Sequence, residues 1–416
     1  MFSVFQVIAI LLTATAAFAW TNYALLKLPN TISLLIMGFL ASLLLVGLEA
    51  AFPDIALFHR LIETVQDIDF SKTLLDGMLA FLLFAGALHV DFSRLRGRGA
   101  TIGVMATVGV VISTVVVALG VWWASAAIGL PLPFAWALVF GALISPTDPV
   151  AVLSTLKHVP IPETLETDMV GESLFNDGVG VVLFAILLAA AESGGANIDL
   201  PHIAHLFFIE ALGGGAMGLL TGYAAYRAMR QIDDYGIEVL ISLSLVMGTY
   251  ALADVLDLSG PIAVVVAGLI IGNRGKTRGM SETTRRYLYA FWTLVDEILN
   301  SVLFLLIGLE VLVLRFDTSL LWFAAATIPL VLLARISAVA LPVVTLGKVV
   351  SFTRGTIPVL TWGGVRGGIS IALALSLPDV PQRAPILTAT YAVAVFSIVF
   401  QGLTLSAALR RATSAR

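Results

Sequence analysis

Cysteine is absent from this sequence of 416 residues, and charged residues are scarce. Without cysteine, neither disulfide bonds nor thiolate metal sites are available. Only 12% of the residues are charged, whereas soluble domains carry about 25%. The net charge of -4 is not gathered into an acidic or basic tail, so the composition gives no indication of a nucleic-acid partner.

Apolar residues take the place of the missing charge. They make up 59% of the chain, and the mean hydropathy is +1.00. A chain this apolar is suited to lipid as its solvent, where backbone polar groups must be paired within helices or closed barrels. The composition therefore predicts an integral membrane protein rather than a soluble domain.

Thirteen apolar segments are separated by polar, proline or glycine clusters. Most of them reach the ~20 residues that a membrane-spanning helix needs. We therefore predict an all-α membrane protein of about 13 transmembrane helices. The segments are at about 4–26, 31–51, 72–90, 100–127, 133–156, 167–190, 203–229, 237–256, 260–272, 287–313, 319–346, 356–377 and 385–409.

The first segment contains Ala17-Phe18-Ala19, which has the form of a signal-peptidase site. No Lys or Arg precedes the apolar run, however, and the run continues to Leu26. We interpret the segment as the first span, with cleavage as the alternative.

Positive residues are distributed unequally between the loops of the predicted spans. If the N-terminus is external, most of the 23 Lys and Arg residues fall on the cytoplasmic side, including Arg94 and the run from Arg274 to Arg286. The positive-inside rule predicts this orientation. The C-terminus is then cytoplasmic, and we expect no soluble domain after it in a multi-pass protein of the cell (inner) membrane.

The fifth predicted span contains the pentapeptide Ser145-Pro146-Thr147-Asp148-Pro149. Its two prolines remove two backbone donors and clash with the preceding turn, so a regular helix cannot run through it. Unpaired backbone groups at membrane depth must face protein or a water-filled cavity, and interrupted helices of this kind form ion sites in transporters. A simple proline kink is the alternative.

The sixth predicted span places three polar side chains on one helix face. Ser173, Asn176 and Asp177 are separated by three or four residues, the spacing of neighbours on a helix surface. Asp177 lies about 10 residues into the span, near mid-membrane at ~1.5 Å per residue. A carboxylate there can hold a proton or a dehydrated cation, which is the minimum chemistry of exchange. The alternative is a structural salt bridge.

The twelfth predicted span contains four glycines around Arg366: Gly363, Gly364, Gly367 and Gly368. Glycines weaken a helix and permit close backbone approach. A buried arginine needs a partner, and we predict Glu172 for this role, which leaves Asp177 free to titrate. Pairing of Arg366 elsewhere, or snorkelling to the interface, is the alternative.

The two interrupted spans, the fifth and the twelfth, are seven apart. An odd offset gives them opposite directions through the membrane, which predicts an inverted repeat. The first repeat would cover about 1–190 and the second about 237–410, with a connector helix at about 203–229. This prediction depends on spacing alone.

Three of these segments resemble the cation:proton antiporters of the NhaP and sodium/proton exchanger type. Thr147 to Ala151 reads TDPVA, and Gly171 to Asp177 reads GESLFND, close to the family's GESLLND signature. Gly364 to Gly368 resembles the family's glycine-arginine helix. Further similar stretches are Ser259 to Asn273 and Leu299 to Glu310.

This resemblance implies a function for each part of the site. Asp177 would carry the ion and the proton, and Ser173, Thr147 and Asp148 would complete the coordination of a monovalent cation. Asn176, where electrogenic relatives have a second Asp, implies electroneutral exchange. Glu172 and Arg366 would form the structural ion pair.

At the level of the whole protein, the resemblance implies a homodimer with two interrupted crossing helices, the NhaA-like antiporter fold. It implies no cofactor and no enzymatic activity. The competing functions are a cation-coupled symporter of a small organic solute and, less favoured, a cation channel.

The sequence departs from the family at Ala85, where the family usually carries an acidic residue. Sodium is the expected cation, but the missing carboxylate leaves Li⁺ and K⁺ open. Arg335, in the eleventh predicted span, is expected to have a structural role at a helix contact or near the cytoplasmic interface, with a role in transport as the alternative. Asp296 and Glu297 are interpreted as solvated residues, with a place at an entrance to the site as the alternative.

Overall fold

A computed structural model describes residues 4–52, 73–148, 161–194, 200–275, 280–310, 318–347 and 350–414. Every regular element in these ranges is helical, as predicted. The helices are α1 (Val4–Thr21), α2 (Asn30–Ala51), α3 (Leu79–His89), α4 (Phe92–Val104), α5 (Val110–Ala127), α6 (Phe134–Ile144), α7 (Glu163–Glu192), α8 (Leu200–Met229), α9 (Tyr235–Val255), α10 (Gly260–Ile270), α11 (Glu282–Leu309), α12 (Thr318–Leu346), α13 (Thr356–Trp362), α14 (Gly368–Leu375), α15 (Arg383–Val395) and α16 (Gly402–Ser414).

Several helices continue through wider, π-helical turns. The longest continuous examples run from Gly97 to Ala127 through α4 and α5, and from Arg383 to Arg411 through α15 and α16. Within the described ranges, nine helices are long and apolar enough to cross a membrane, and three shorter apolar helices accompany them. The twelfth predicted segment is divided between α13 and α14. The count of thirteen spans stays a prediction, and residues 149–156 of the fifth segment lie outside the described residues.

Helix boundaries follow from capping side chains. Ser259 begins α10 by accepting a hydrogen bond from the Ile262 amide at 3.3 Å, and Pro261 occupies the first turn. The break between α9 and α10 at the polar strip 257–260 is therefore confirmed. Ser281 caps α11 in the same way, so this helix begins earlier than the predicted residue 287. Hydroxyl caps satisfy amides that the first helical turn leaves unpaired.

Small residues bring two pairs of helices into close contact. On α2 and α11, a Cβ on Gly308 would lie 2.7 Å from the backbone nitrogen of Phe39. On α8, the side of the helix that carries Gly218 and Gly222 meets Ala263 and Ala267 of α10. In lipid, helices associate through such small-residue faces, because backbone approach maximises van der Waals contact.

The centre of the molecule lies around α6 and α7. Most residues of α6 are buried, and α7 is covered by α6, α8, α10 and the part of the chain around α4. A helix that is apolar and covered on all sides must be interior. The polar face of α7 is therefore directed at other protein segments and not at lipid.

Candidate functional site

The prolines end α6 as the sequence predicts. The helix stops at Ile144, and residues 145–148 are not helical. Ser145 and Thr147 are buried, and Asp148 is half-buried. The second half of the predicted span, from residue 149, lies outside the described residues.

The second interruption separates α13 from α14. Residues 363–367 form an irregular segment between the two short helices. Here the Asp148 amide donates a hydrogen bond of 2.7 Å to the Val365 carbonyl oxygen. A Cβ on Gly367 would overlap the Asp148 carboxylate. The two interrupted segments therefore contact each other directly, and glycine at 367 makes that approach possible.

Thr147 is tied to the polar face of α7. Its amide donates to Asn176 Oδ1 at 3.2 Å, and Asn176 Nδ2 donates to Thr147 Oγ1 at 2.8 Å. The Ser173 hydroxyl donates to the Thr147 carbonyl oxygen. The structure thus brings together Thr147, Ser173 and Asn176, as the helical spacing predicts. Both functional atoms of the Asn176 amide are used to hold the interrupted segment in place.

Asp177 lies one residue beyond this network, with only 6% of its surface exposed. Two glycines of α7 near Asp177 lie in close contact with neighbouring segments. A Cβ on Gly180 would overlap Pro146, and one on Gly178 would lie 2.7 Å from Ile262 of α10. Because these glycines admit the neighbouring segments, the Asp177 carboxylate is placed beside the interruption.

A cavity of about 510 Å³ reaches Asp177 from the molecular surface. Its inner end is lined by Asp177, Thr147, Asp148 and Gly367, and its outer part by Asp91, Arg94 and the exposed Glu166. Apolar residues of α3 form much of the wall between them: Leu79, Leu82, Leu83, Ala85 and Gly86. Asp177 is therefore a buried carboxylate with a continuous route to water.

The partner of Glu172 is Arg335 and not Arg366. Arg335 of α12 forms a two-pronged ion pair with the Glu172 carboxylate, with Nη2 2.8 Å from Oε2. It also donates from Nε and Nη2 to the Leu360 carbonyl oxygen at 3.0 and 2.8 Å. Both charged side chains are almost completely buried. The predicted pair of Glu172 with Arg366 is wrong, whereas Arg335 lies at a helix contact, as predicted.

Arg366 instead binds the end of the broken helix. Its Nη1 donates to the carbonyl oxygens of Ser145 and Pro146, the latter at 3.0 Å. Its own amide donates to the Ser397 hydroxyl at 2.9 Å. The last carbonyls of α6 have no helical partners and carry the negative end of the helix dipole. Arg366 satisfies such groups just past the end of α6, so its neighbours at these bonds are carbonyl oxygens of the interrupted segment and not a carboxylate.

Comparison with known proteins adds an independent finding. The family described as "Sodium/hydrogen exchanger, transmembrane" matches residues 10–411. The chain belongs to this sodium/hydrogen exchanger family. The chain is 45% identical over 411 residues to the Na⁺/H⁺ antiporter NhaP of Pseudomonas aeruginosa, with 98% of this chain and 96% of that protein covered.

A second relative is similar to the chain in sequence, and a solved structure is similar to it in fold. The chain is 37% identical to the Na⁺/H⁺ antiporter NhaH of Halobacillus dabanensis, with 93% of each chain covered. Its fold resembles that of the sodium proton antiporter MjNhaP1 from Methanocaldococcus jannaschii at pH 8. The TM-score is 0.75 over 99% of both chains, at 18% identity.

Ala85, where the resemblance implies an acidic residue, lies at the cavity. It is buried on α3 and lines the cavity together with Asp148 and Asp177. Its carbonyl oxygen is 2.7 Å from His89 Nδ1, one turn further along the helix. No side-chain oxygen is supplied from this position, so ligands must come from the other walls.

The sequence does not predict the pairing of Arg335 with Glu172, although both Arg335 and Arg366 lie within predicted spans. A signal was present, because an arginine within an apolar span needs a partner wherever it lies. Sequence gave no means of deciding which of the two arginines approaches Glu172, because that depends on where α12 packs.

Proposed function

We propose that this chain is a secondary antiporter that exchanges a monovalent cation, Na⁺ in the first place, for H⁺ at Asp177. The observation that carries this proposal is the buried Asp177 carboxylate at the inner end of a water-accessible cavity, beside two interrupted segments. The family, and the Na⁺/H⁺ antiporter names of relatives that match nearly the whole chain, support it. Li⁺ and K⁺ are further candidate substrates.

The exchange follows from competition for one carboxylate. A lone charge at this depth is costly, so Asp177 holds either a proton or a cation and is not left unpaired. The Ser173 and Thr147 oxygens and the half-buried Asp148 supply oxygen ligands of the type that hard cations prefer. Because the site binds one proton or one cation, bound charge is the same in both loaded forms.

The neighbour Asn176 favours electroneutral, one-for-one exchange. Its amide carries no charge, and its two polar atoms bond Thr147. A second carboxylate at this position would add a second proton or cation to each cycle. The proposed stoichiometry therefore depends on the amide as well as on Asp177.

The cavity opens on the side where Arg94 lies. The positive-inside rule makes this the cytoplasmic side, with an external N-terminus and a cytoplasmic C-terminus in the inner membrane. The described conformation is then open to the cytoplasm. We propose an NhaA-like arrangement of thirteen spans in two inverted repeats, with the two interrupted helices crossing at the site, and assembly as a homodimer.

Everted membrane vesicles with a preformed proton gradient test the proposed function. Added Na⁺ should collapse the gradient, as reported by a pH-sensitive dye, and Asp177→Asn should abolish the response. Glu192→Gln is the matched control, because Glu192 is an exposed carboxylate at the far end of the same helix.

Size-exclusion profiles of the purified variants check that each is folded. Normal exchange in Asp177→Asn would show that another group carries the ion. Cation flux without proton movement would instead identify a channel.

A further inference from the structure

Two polar residues of α11 line the same cavity away from Asp177. Asp296 and Asn300 are one helical turn apart, and both face the cavity. Asn300 Nδ2 donates to Asp296 Oδ1 at 3.0 Å and to the Asp296 carbonyl oxygen at 2.9 Å. Asn300 is buried and Asp296 is half-buried. The amide thus holds the carboxylate in one orientation at the cavity wall.

The position of α11 places this pair on the route to the inner site. Leu303, further along α11, packs against Gly368 at the start of α14, where an added Cβ would lie 2.7 Å from Leu303 Cδ1. Gly367 next to it abuts Asp148. Asp296 is seven residues before Leu303, which is ~10 Å along a helix axis. Asp296 is therefore offset from the inner site by about two turns.

The surroundings of Asp296 suit a hydrated cation. On α3, His89 contacts Thr293 of α11 through Nε2 at 3.1 Å, and the leucines of α3 line the cavity beyond it. The charged residues at the outer part are of both signs: Asp91, Arg94 and Glu166. Among the described residues, no group of three or more His, Asp or Glu side chains is placed to hold a metal ion. A single oriented carboxylate attracts a cation without trapping it.

We propose that Asp296, oriented by Asn300, forms an access site at which a monovalent cation is held, still hydrated, on its way to Asp177. A carboxylate in a cleft with low-dielectric walls raises the local concentration of cations. The access site therefore increases the rate at which cations reach Asp177 without taking part in the exchange of the proton. This proposal rests on the proposed antiport function.

Transport kinetics test the access site with a substitution that removes only charge. Asp296→Asn keeps an oxygen to accept the Asn300 hydrogen bond. The apparent KM for Na⁺ should rise roughly 10-fold, the lower end of the effect of a focused charge, with the maximal rate nearly unchanged. Glu297→Gln is the matched control, because Glu297 is exposed, does not line the cavity and removes the same charge one residue away.

The pattern of results separates the access site from other roles. Equal KM changes in both variants would show a general surface-charge effect and overturn the proposal, as would an unchanged KM in Asp296→Asn. A loss of maximal rate with unchanged KM would place Asp296 in the exchange step instead. If the wild-type protein and Glu297→Gln show no exchange at all, the proposed function fails.

Thallium binding provides a readout that does not depend on transport. In crystals of Asp177→Asn soaked with Tl⁺, we expect anomalous density beside Asp296, and none there in Asp177→Asn/Asp296→Asn. Density at Asp177 but not at Asp296 in the wild-type protein would overturn the access site and leave the antiport function standing. Density at neither carboxylate would count against both.

Discussion

At the residue scale, Glu172 and Arg335 form the most deeply buried ion pair among the described residues. Both are buried, and the arginine also holds the Leu360 carbonyl oxygen. Buried charge pairs contribute little net stability relative to apolar replacements, but a charge left alone is costly. Replacing one member of the pair should therefore destabilise the protein much more than replacing both.

We expect Arg335→Met to destabilise the protein by ~3–5 kcal/mol, because Glu172 is left buried without its partner. The double variant Arg335→Met/Glu172→Gln should recover most of this loss, since no full charge then remains unpaired. Thermal unfolding of the purified proteins in detergent measures both effects.

Glu192→Gln, on the same helix as Glu172, provides the reference for loss of an exposed carboxylate. If the double variant is as unstable as the sum of the two single variants, the pair is not coupled. In that case the geometry described for Arg335 is wrong.

The sequence predicted the shared face of Ser173, Asn176 and Asp177, because helical periodicity alone determines it. It did not predict the partner of Arg366. The sequence shows an arginine among glycines and a carboxylate at Glu172, and charge complementarity suggests that they pair. The carbonyl oxygens that Arg366 binds belong to a broken helix end, and sequence does not show where such an end lies in space.

At the element scale, the two interrupted segments depend on backbone contact. Proline and glycine content predicts both breaks, since these residues cannot sustain a regular helix there. That the segments touch, through the Asp148 amide and the Val365 carbonyl oxygen, is a tertiary fact. The two segments are far apart in the sequence, so no local sequence pattern predicts that they are in contact.

Gly367→Ala should reduce exchange on the order of 100-fold, because the added Cβ displaces Asp148 and a displacement of ~1 Å can have that effect. Na⁺-dependent recovery of the dye signal in everted vesicles measures the loss.

Gly215→Ala and Gly248→Ala are the matched controls, since a Cβ at either position meets no atom within 4 Å. Both controls should exchange normally. Full activity of Gly367→Ala would mean that the two segments do not approach each other as closely as described.

Helix boundaries show a second limit of the sequence. The predicted segments leave Arg94 in a loop between 90 and 100, yet Arg94 lies in α4 (Phe92–Val104). Charged residues are compatible with both a loop and a helix that faces water, so apolar periodicity does not distinguish them. The predicted start of α11, residue 287, is too late for the same reason. Arg285 and Arg286 resemble loop residues in the sequence but belong to the first turns of the helix.

At the scale of the whole molecule, the absence of cysteine allows orientation to be tested directly. Thr167 lines the cavity, and Ser193 is exposed beyond the other end of α7. A membrane-impermeant maleimide should label Thr167→Cys from the cytoplasmic side and Ser193→Cys from the external side. Inside-out and right-side-out vesicles distinguish the two.

The wild-type chain is the negative control for labelling, because it has no thiol. Labelling of both variants from one side would show that α7 does not cross the membrane. The opposite pattern of labelling would invert the orientation that the positive charges predict.

The ion pair on α7 also has a mechanical consequence. Arg335 connects α12 to α7 through Glu172 and to α13 through the Leu360 carbonyl oxygen. Sliding α7 past α12 would separate buried opposite charges, which costs several kcal/mol. Sliding α13 past α12 would break the hydrogen bonds from Arg335 to the Leu360 carbonyl oxygen. We expect the three helices to move as one rigid body, so any movement between helices during the proposed exchange takes place outside this trio.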